Sequence, residues 1–186
     1  MKASKDTPGS TALDTSTLLL RLAVGPMLVA HGYNKVFGAG GLAGTTRWFK
    51  ALGLRPAALH ARLAAATEIA AGAAVTLGVA SPYPAAAAIG LMTTAAATDH
   101  RGKGFFVFKG GWEYTAVVAA VCAAIATLGP GRVSVDALRG SPRSGLRWGL
   151  LACGLGAASA KALLAACYRP DATDPAGQTP VGVPRA

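Results

Sequence analysis

Three histidines, two glutamates, Asp99 and a few of the 18 lysines and arginines are the groups placed to do chemistry in this 186-residue chain. His31 and Lys35 close the run RLAVGPMLVAHGYNK, which Arg21 opens. Glu68 interrupts ARLAAATEIAAG, with His60 just ahead of it. Asp99 and His100 follow an Ala-rich stretch, and Glu113 begins another apolar run. Imidazoles bind ligand oxygens, carry protons or ligate metals near neutral pH. A Glu inside an apolar segment needs a partner, and with Lys or His it forms an ion pair or a proton relay. The spacing of the histidines matches no haem or metal motif, so no metal centre is expected. No Ser or Cys is coupled to a base as a nucleophile would be, and GAGG at 38–41 lacks the Lys-Ser/Thr of a phosphate loop. Ligand binding or proton handling is left, weighed against plain ion pairs that hold helices in register.

The elements that carry these groups are long and apolar. The chain is 52% hydrophobic and 14% charged, with a mean hydropathy of +0.42, whereas soluble domains carry about 25% charged residues. The net charge of +10 lies between the apolar blocks, where loops meet lipid headgroups, and no nucleic-acid-binding signature accompanies it. Five blocks stand out, at about 17–37, 61–80, 83–98, 113–128 and 146–168. They lack the alternation of barrel strands, so helices are expected, because lipid leaves backbone polar groups no other partner. The fifth block contains Lys161 and is expected to span, with that residue facing protein or reaching the surface; the alternative is a helix lying along the membrane surface. Cys122, Cys153 and Cys167 lie inside the blocks and are expected to pack as small hydrophobes. Between blocks one and two, TTRWFKALGL reads as a short amphipathic piece.

Alternating spans bring the end of block one, the start of two, the end of three and the start of four to one side, called here end A. His31, Lys35, His60, Glu68, Asp99, His100 and Glu113 converge there. So do Tyr33, Phe37, Trp48, Phe49, Phe105, Phe106, Phe108, Trp112 and Tyr114, while Tyr83 and Trp148 lie at the opposite end B. Arg21, Gly25, Leu28, Gly32 and Lys35 share one helical face, with His31 at its border. Lys35 or a protonated His31 is the best-placed partner for Glu68, and Asp136 is the candidate ion-pair partner of Arg21 at end B. Ala64, Glu68, Gly72 and Thr76 form an i, i+4 row of the small type that permits close helix contact in lipid.

Arg21, HGYNKVFG at 31–38, TEIAAG at 67–72, Met92, His100, GGWEY at 110–114 and GPGRVSVDAL at 129–138 come in an order that resembles the DoxX family of small bacterial membrane proteins. The resemblance implies an all-α four-helix transmembrane bundle over residues 17–140, to which a fifth apolar helix at 141–168 is added. Disordered tails are expected at 1–16 and 169–186. It places the protein in the bacterial plasma membrane as a multi-pass protein, with end A outside. Charge counting favours the reverse orientation. Some relatives look like membrane subunits of quinone-linked oxidoreductases, and others are linked to oxidative stress. The expected function is therefore binding of a quinone or lipid in an aromatic-capped pocket, with an oxidoreductase partner or a second copy of the chain alongside. His31, Lys35, Glu68, His100, Glu113, Trp112 and Tyr33 are the expected ligand-binding residues, and no cofactor other than quinone is evident. A small-molecule, proton or lipid transporter and a purely structural scaffold are the alternatives.

Overall fold

The computed structural model describes residues 8–170 of the chain, whose regular elements are helices joined by turns and loops, with one isolated bridge between Leu54 and Tyr168. Seven α-helices follow in order: α1 (Pro8–Phe37), α2 (Gly41–Ala51), α3 (Ala57–Leu77), α4 (Tyr83–Ala97), α5 (Glu113–Leu128), α6 (Val135–Leu138) and α7 (Leu146–Cys167). The stretch Thr11–Phe37 of α1 and the whole of α7 are long and apolar enough to cross a membrane, while α4 and α5 are apolar but shorter.

The apolar blocks account for α3, α4, α5 and α7 to within a few residues. The first block does not account for α1, which begins at Pro8. Residues 8–16 are therefore helix rather than the disordered tail expected there, and residues 1–7 lie outside the described residues. Part of the reason is remote in sequence. The Asp14 carboxylate accepts from the Arg132 backbone N–H at 3.0 Å and meets the Arg132 Nε at 3.1 Å, which ties this turn to the segment after α5. At the other terminus, Arg169 N–H donates to Gly53 O at 2.7 Å, so the chain stays packed to Pro170; the tail expected beyond it lies outside the described residues.

α1 and α3 run antiparallel in close contact, and glycine makes this possible. A Cβ placed at Gly25 would lie 2.8 Å from both Gly72 O and Thr76 N, and one at Gly72 would lie 2.6 Å from Gly25 O. Between helices with little hydrophobic drive to associate, such backbone approach is the main source of attraction. A Gly25→Val variant is expected to lose about 1–3 kcal/mol, read as a lower thermal midpoint in detergent; an unchanged midpoint would show that the contact contributes nothing.

α7 packs through Gly149, Ala152, Gly156 and Ala160, all buried, against α4 and α5. Leu146, Leu150 and Leu155 point away from the bundle, as does Lys161. Its first turn is joined to α5 by Gly145 N–H donating to Thr127 O at 2.7 Å, and its last reaches the turn after α2 at Leu54. The helix thus runs the full length of the bundle, and a boundary at 140 does not separate two packing units. Cys122 is fully buried, but Cys153 faces outward and Cys167 is half-buried, so only the first packs as expected of all three. The inner core is built from small residues around Leu28, Ile89, Met92 and Val118. A second cluster, Phe49, Leu54 and Ala61, fixes α2 across the start of α3.

Candidate functional site

A cavity of about 490 Å³ lies toward end A, bounded by α1, α3, α4, α5 and α7. α2 and the turn after it supply Trp48, Phe49, Leu52 and Leu54 to its wall. The volume is in the range of small-molecule sites, which are mostly apolar with a few placed polar groups. Leu28, Leu63, Leu91, Met92 and Leu163 provide the apolar lining. All three histidines of the chain reach it, together with Lys35, Glu68 and Asp99.

Lys35 and Glu68 form the polar floor. The Lys35 Nζ donates to both carboxylate oxygens, at 2.8 and 2.7 Å, and the side chains are only 15% and 7% exposed. Of the two partners considered for Glu68, the structure selects Lys35. Gly32, one turn before Lys35, allows α3 to approach: a Cβ there would sit 2.8 Å from Ala65 O and 3.0 Å from the Glu68 Cβ.

Each histidine spends one ring nitrogen on a backbone carbonyl. His31 Nδ1 lies 2.9 Å from Met27 O, His100 Nδ1 lies 2.6 Å from Gly110 O, and His60 Nε2 lies 3.3 Å from Arg55 O. A carbonyl only accepts, so these nitrogens carry the hydrogen and the opposite nitrogen of a neutral ring is left as acceptor. The His31 ring also stacks on Tyr114 at 5.8 Å between centroids, and the Tyr114 hydroxyl donates to Met27 Sδ at 3.3 Å. His100 Nε2 has Asp99 Oδ2 at 3.9 Å. Such imidazoles can accept a hydroxyl proton from a ligand, or donate once protonated.

Four of the seven residues expected to bind ligand therefore share the cavity: His31, Lys35, Glu68 and His100. Three do not line it. Tyr33 is two residues from Lys35, roughly 200° round the helix, and packs outside on Phe37 at 4.7 Å. Trp112 lies against Phe105 at 4.9 Å. Glu113 turns back to accept from Val107 N–H at 3.0 Å, and the next residues of α5, Tyr114 and Thr115, line the cavity instead. His60, which is outside the seven expected ligand-binding residues, is a buried member of the wall. The amphipathic piece at 45–54 forms most of α2 and the turn after it, which lie over the start of α3, a path that its sequence does not signal.

Arg21 and the expected partner Asp136 attract each other through space, but each closes its hydrogen bonds on main chain rather than on the other. Arg21 donates to four carbonyls: Val75 O at 2.9 Å, Thr76 O at 2.7 Å, Pro130 O at 2.6 Å and Val133 O at 2.7 Å. Asp136 accepts instead from the N–H groups of Ala80 and Ser81, both at 2.9 Å. Exposed carbonyls at the end of a helix and loose N–H groups in the following turn compete for these charges and win, because leaving them unsatisfied in an apolar setting is costly.

Residues 16–101 match the family model described as DoxX. No curated protein and no solved structure matches the chain.

Proposed function

From the premise that the chain belongs to the DoxX family through residues 16–101, we propose that it binds a quinone in the cavity at end A as a multi-pass protein of the bacterial plasma membrane. The match and the two long apolar helices give the chain its membrane character. In this reading α1, α3, α4, α5 and α7 cross the bilayer, and an oxidoreductase partner docks at end A to exchange electrons with the bound ring.

The observation that carries the reading is an apolar cavity lined by every histidine of the chain and floored by a partly buried Lys–Glu pair. A quinone has a flat apolar ring with opposed oxygens, and it supplies two-electron, two-proton redox chemistry when bound. His31 on α1 and His100 after α4 approach from different helices, so they suit two oxygens of one ring, each free nitrogen accepting from a quinol hydroxyl when the imidazole is neutral and donating to a quinone carbonyl when it is protonated. Leu28, Leu91 and Met92 offer a dry surface for the ring, and Trp48 and Phe49 cover it from end A. The Lys35–Glu68 pair fixes α1 against α3 and sets the charge under the ring. A transport path is not favoured: beyond Glu68 toward Arg21 the bundle is closed by Leu28, 1% exposed, and by the Gly25–Gly72 contact.

Protein purified in mild detergent and extracted with organic solvent is expected to release quinone in near-stoichiometric amount. His31→Ala and His100→Ala are each expected to weaken quinone binding about tenfold, the worth of one hydrogen bond at the upper end of the usual range. If no quinone co-purifies and none binds at micromolar concentration, the assignment fails.

A further inference from the structure

The segment joining α4 to α5 carries a surface that the cavity does not use. Phe105, Phe106, Val107 and Phe108 are 45%, 51%, 52% and 77% exposed, side by side on one short turn. The turn is built rather than loose. Gly111 and Glu113 N–H groups donate to Phe106 O and Phe105 O, both at 2.9 Å, and Trp112 N–H donates to Gly104 O at 3.2 Å. The Glu113 carboxylate takes the Val107 N–H, and His100 holds Gly110 O. A rigid turn that keeps three phenylalanines pointing outward requires an apolar phase to receive them.

The charges say which phase. Arg101, Lys103 and Lys109 are all exposed around the aromatic cluster, and the Lys109 Nζ lies 5.9 Å from the Phe108 ring centroid. Among the described residues, the acids set against them are Asp99, 3.5 Å from Lys103, and Glu113, already engaged. Cations ringing an apolar tip match the boundary of an anionic leaflet, where phosphates lie above acyl chains. The depth agrees, since the turn ends where α5 begins.

We propose that residues 101–109 seat in the end A leaflet and bind anionic phospholipid, with the phenylalanines in the acyl boundary and the three cations on headgroup phosphates. This rests on the membrane reading but not on the quinone. The full chain is equilibrated in mixed micelles with equal phosphatidylglycerol and phosphatidylcholine, and retained lipids are counted by native mass spectrometry. Phosphatidylglycerol is expected to predominate. The triple variant Arg101→Gln/Lys103→Gln/Lys109→Gln is expected to cut the preference at least about tenfold, and Phe105→Ser/Phe106→Ser/Phe108→Ser to lower total retained lipid. Glycerol 3-phosphate in excess should not displace it. Equal retention of the two lipids would overturn the proposal. So would a preference unmoved by the triple variant, as expected if a protein covers this patch. A matched loss from Arg139→Gln/Arg147→Gln at end B would do the same. Thermal midpoints check that the variants fold, and quinone content of the same samples is scored separately.

Discussion

A Lys35→Met variant is expected to lose about 3–5 kcal/mol of stability, a fall of roughly 6–20 °C in the thermal midpoint for a chain of this size. The Lys35 ammonium makes both hydrogen bonds to the Glu68 carboxylate, and the carboxylate is 7% exposed. Removing the cation leaves an anion against the apolar walls of α1 and α3 with nothing to offset its lost hydration. Glu68→Gln is expected to cost less, because an amide oxygen still accepts from the Lys35 Nζ. The double variant Lys35→Met/Glu68→Leu should return close to the parent midpoint, since a packed apolar pair avoids the desolvation of two charges. Quinone content of that double variant then separates the roles: a stable protein without ligand assigns the pair to binding, and a stable protein with ligand assigns it to helix register. A Lys35→Met midpoint within about 1 °C of the parent would mean that the charges do not need each other.

The legibility of this pair in the sequence has a simple cause. Arg21, Gly25, Leu28, Gly32 and Lys35 lie along one stripe of α1, and Ala64, Glu68, Gly72 and Thr76 along one of α3. In an apolar segment, the stripe holding the charges and the small residues has to face protein. Antiparallel running then places the end of one stripe beside the middle of the other. The five apolar blocks were legible for the same reason, as unbroken hydrophobicity is a property of composition alone.

What stayed hidden depended on the path of the chain outside those blocks. His60 is buried because α2 turns back and lays Phe49 and Leu54 over the start of α3, and loop direction has no periodic signature. Glu113 and Trp112 open α5 at end A as expected. Yet residues 99–112 fold into their own hydrogen-bonded turn, which takes both side chains away from the cavity. α6 is four residues long, too short for a hydrophobic period; it rests on its Ser134 cap, where the hydroxyl accepts from Ala137 N–H at 3.1 Å. Arg21 and Asp136 are near enough to attract, yet matching charges to charges missed their hydrogen bonds, for which the backbone offered more partners than either side chain could.

That last correction carries the second large effect. Arg21→Lys is expected to cost about 2–4 kcal/mol although the charge is kept. The guanidinium is a planar fork with five donors, and here it reaches two carbonyls in the last turn of α3 and two in the segment after α5. A lysine has one nitrogen and no fork, so it can serve one of these groups of carbonyls but not both. Each charge-assisted bond is worth about 1.5–3 kcal/mol when a buried partner would otherwise go unsatisfied. There is also little room to rearrange: Gly78, with φ of 63°, passes so close that a Cβ on it would lie 2.8 Å from Arg21 Nη2. The loss should be local before it is global. Hydrogen exchange of Arg21→Lys is expected to speed up across 129–139 and in the turn at 78–81, while residues 57–72 around Glu68 keep their protection. Uniform loosening of the whole bundle, or parent-like protection at 129–139, would show that this arginine does not hold end B together.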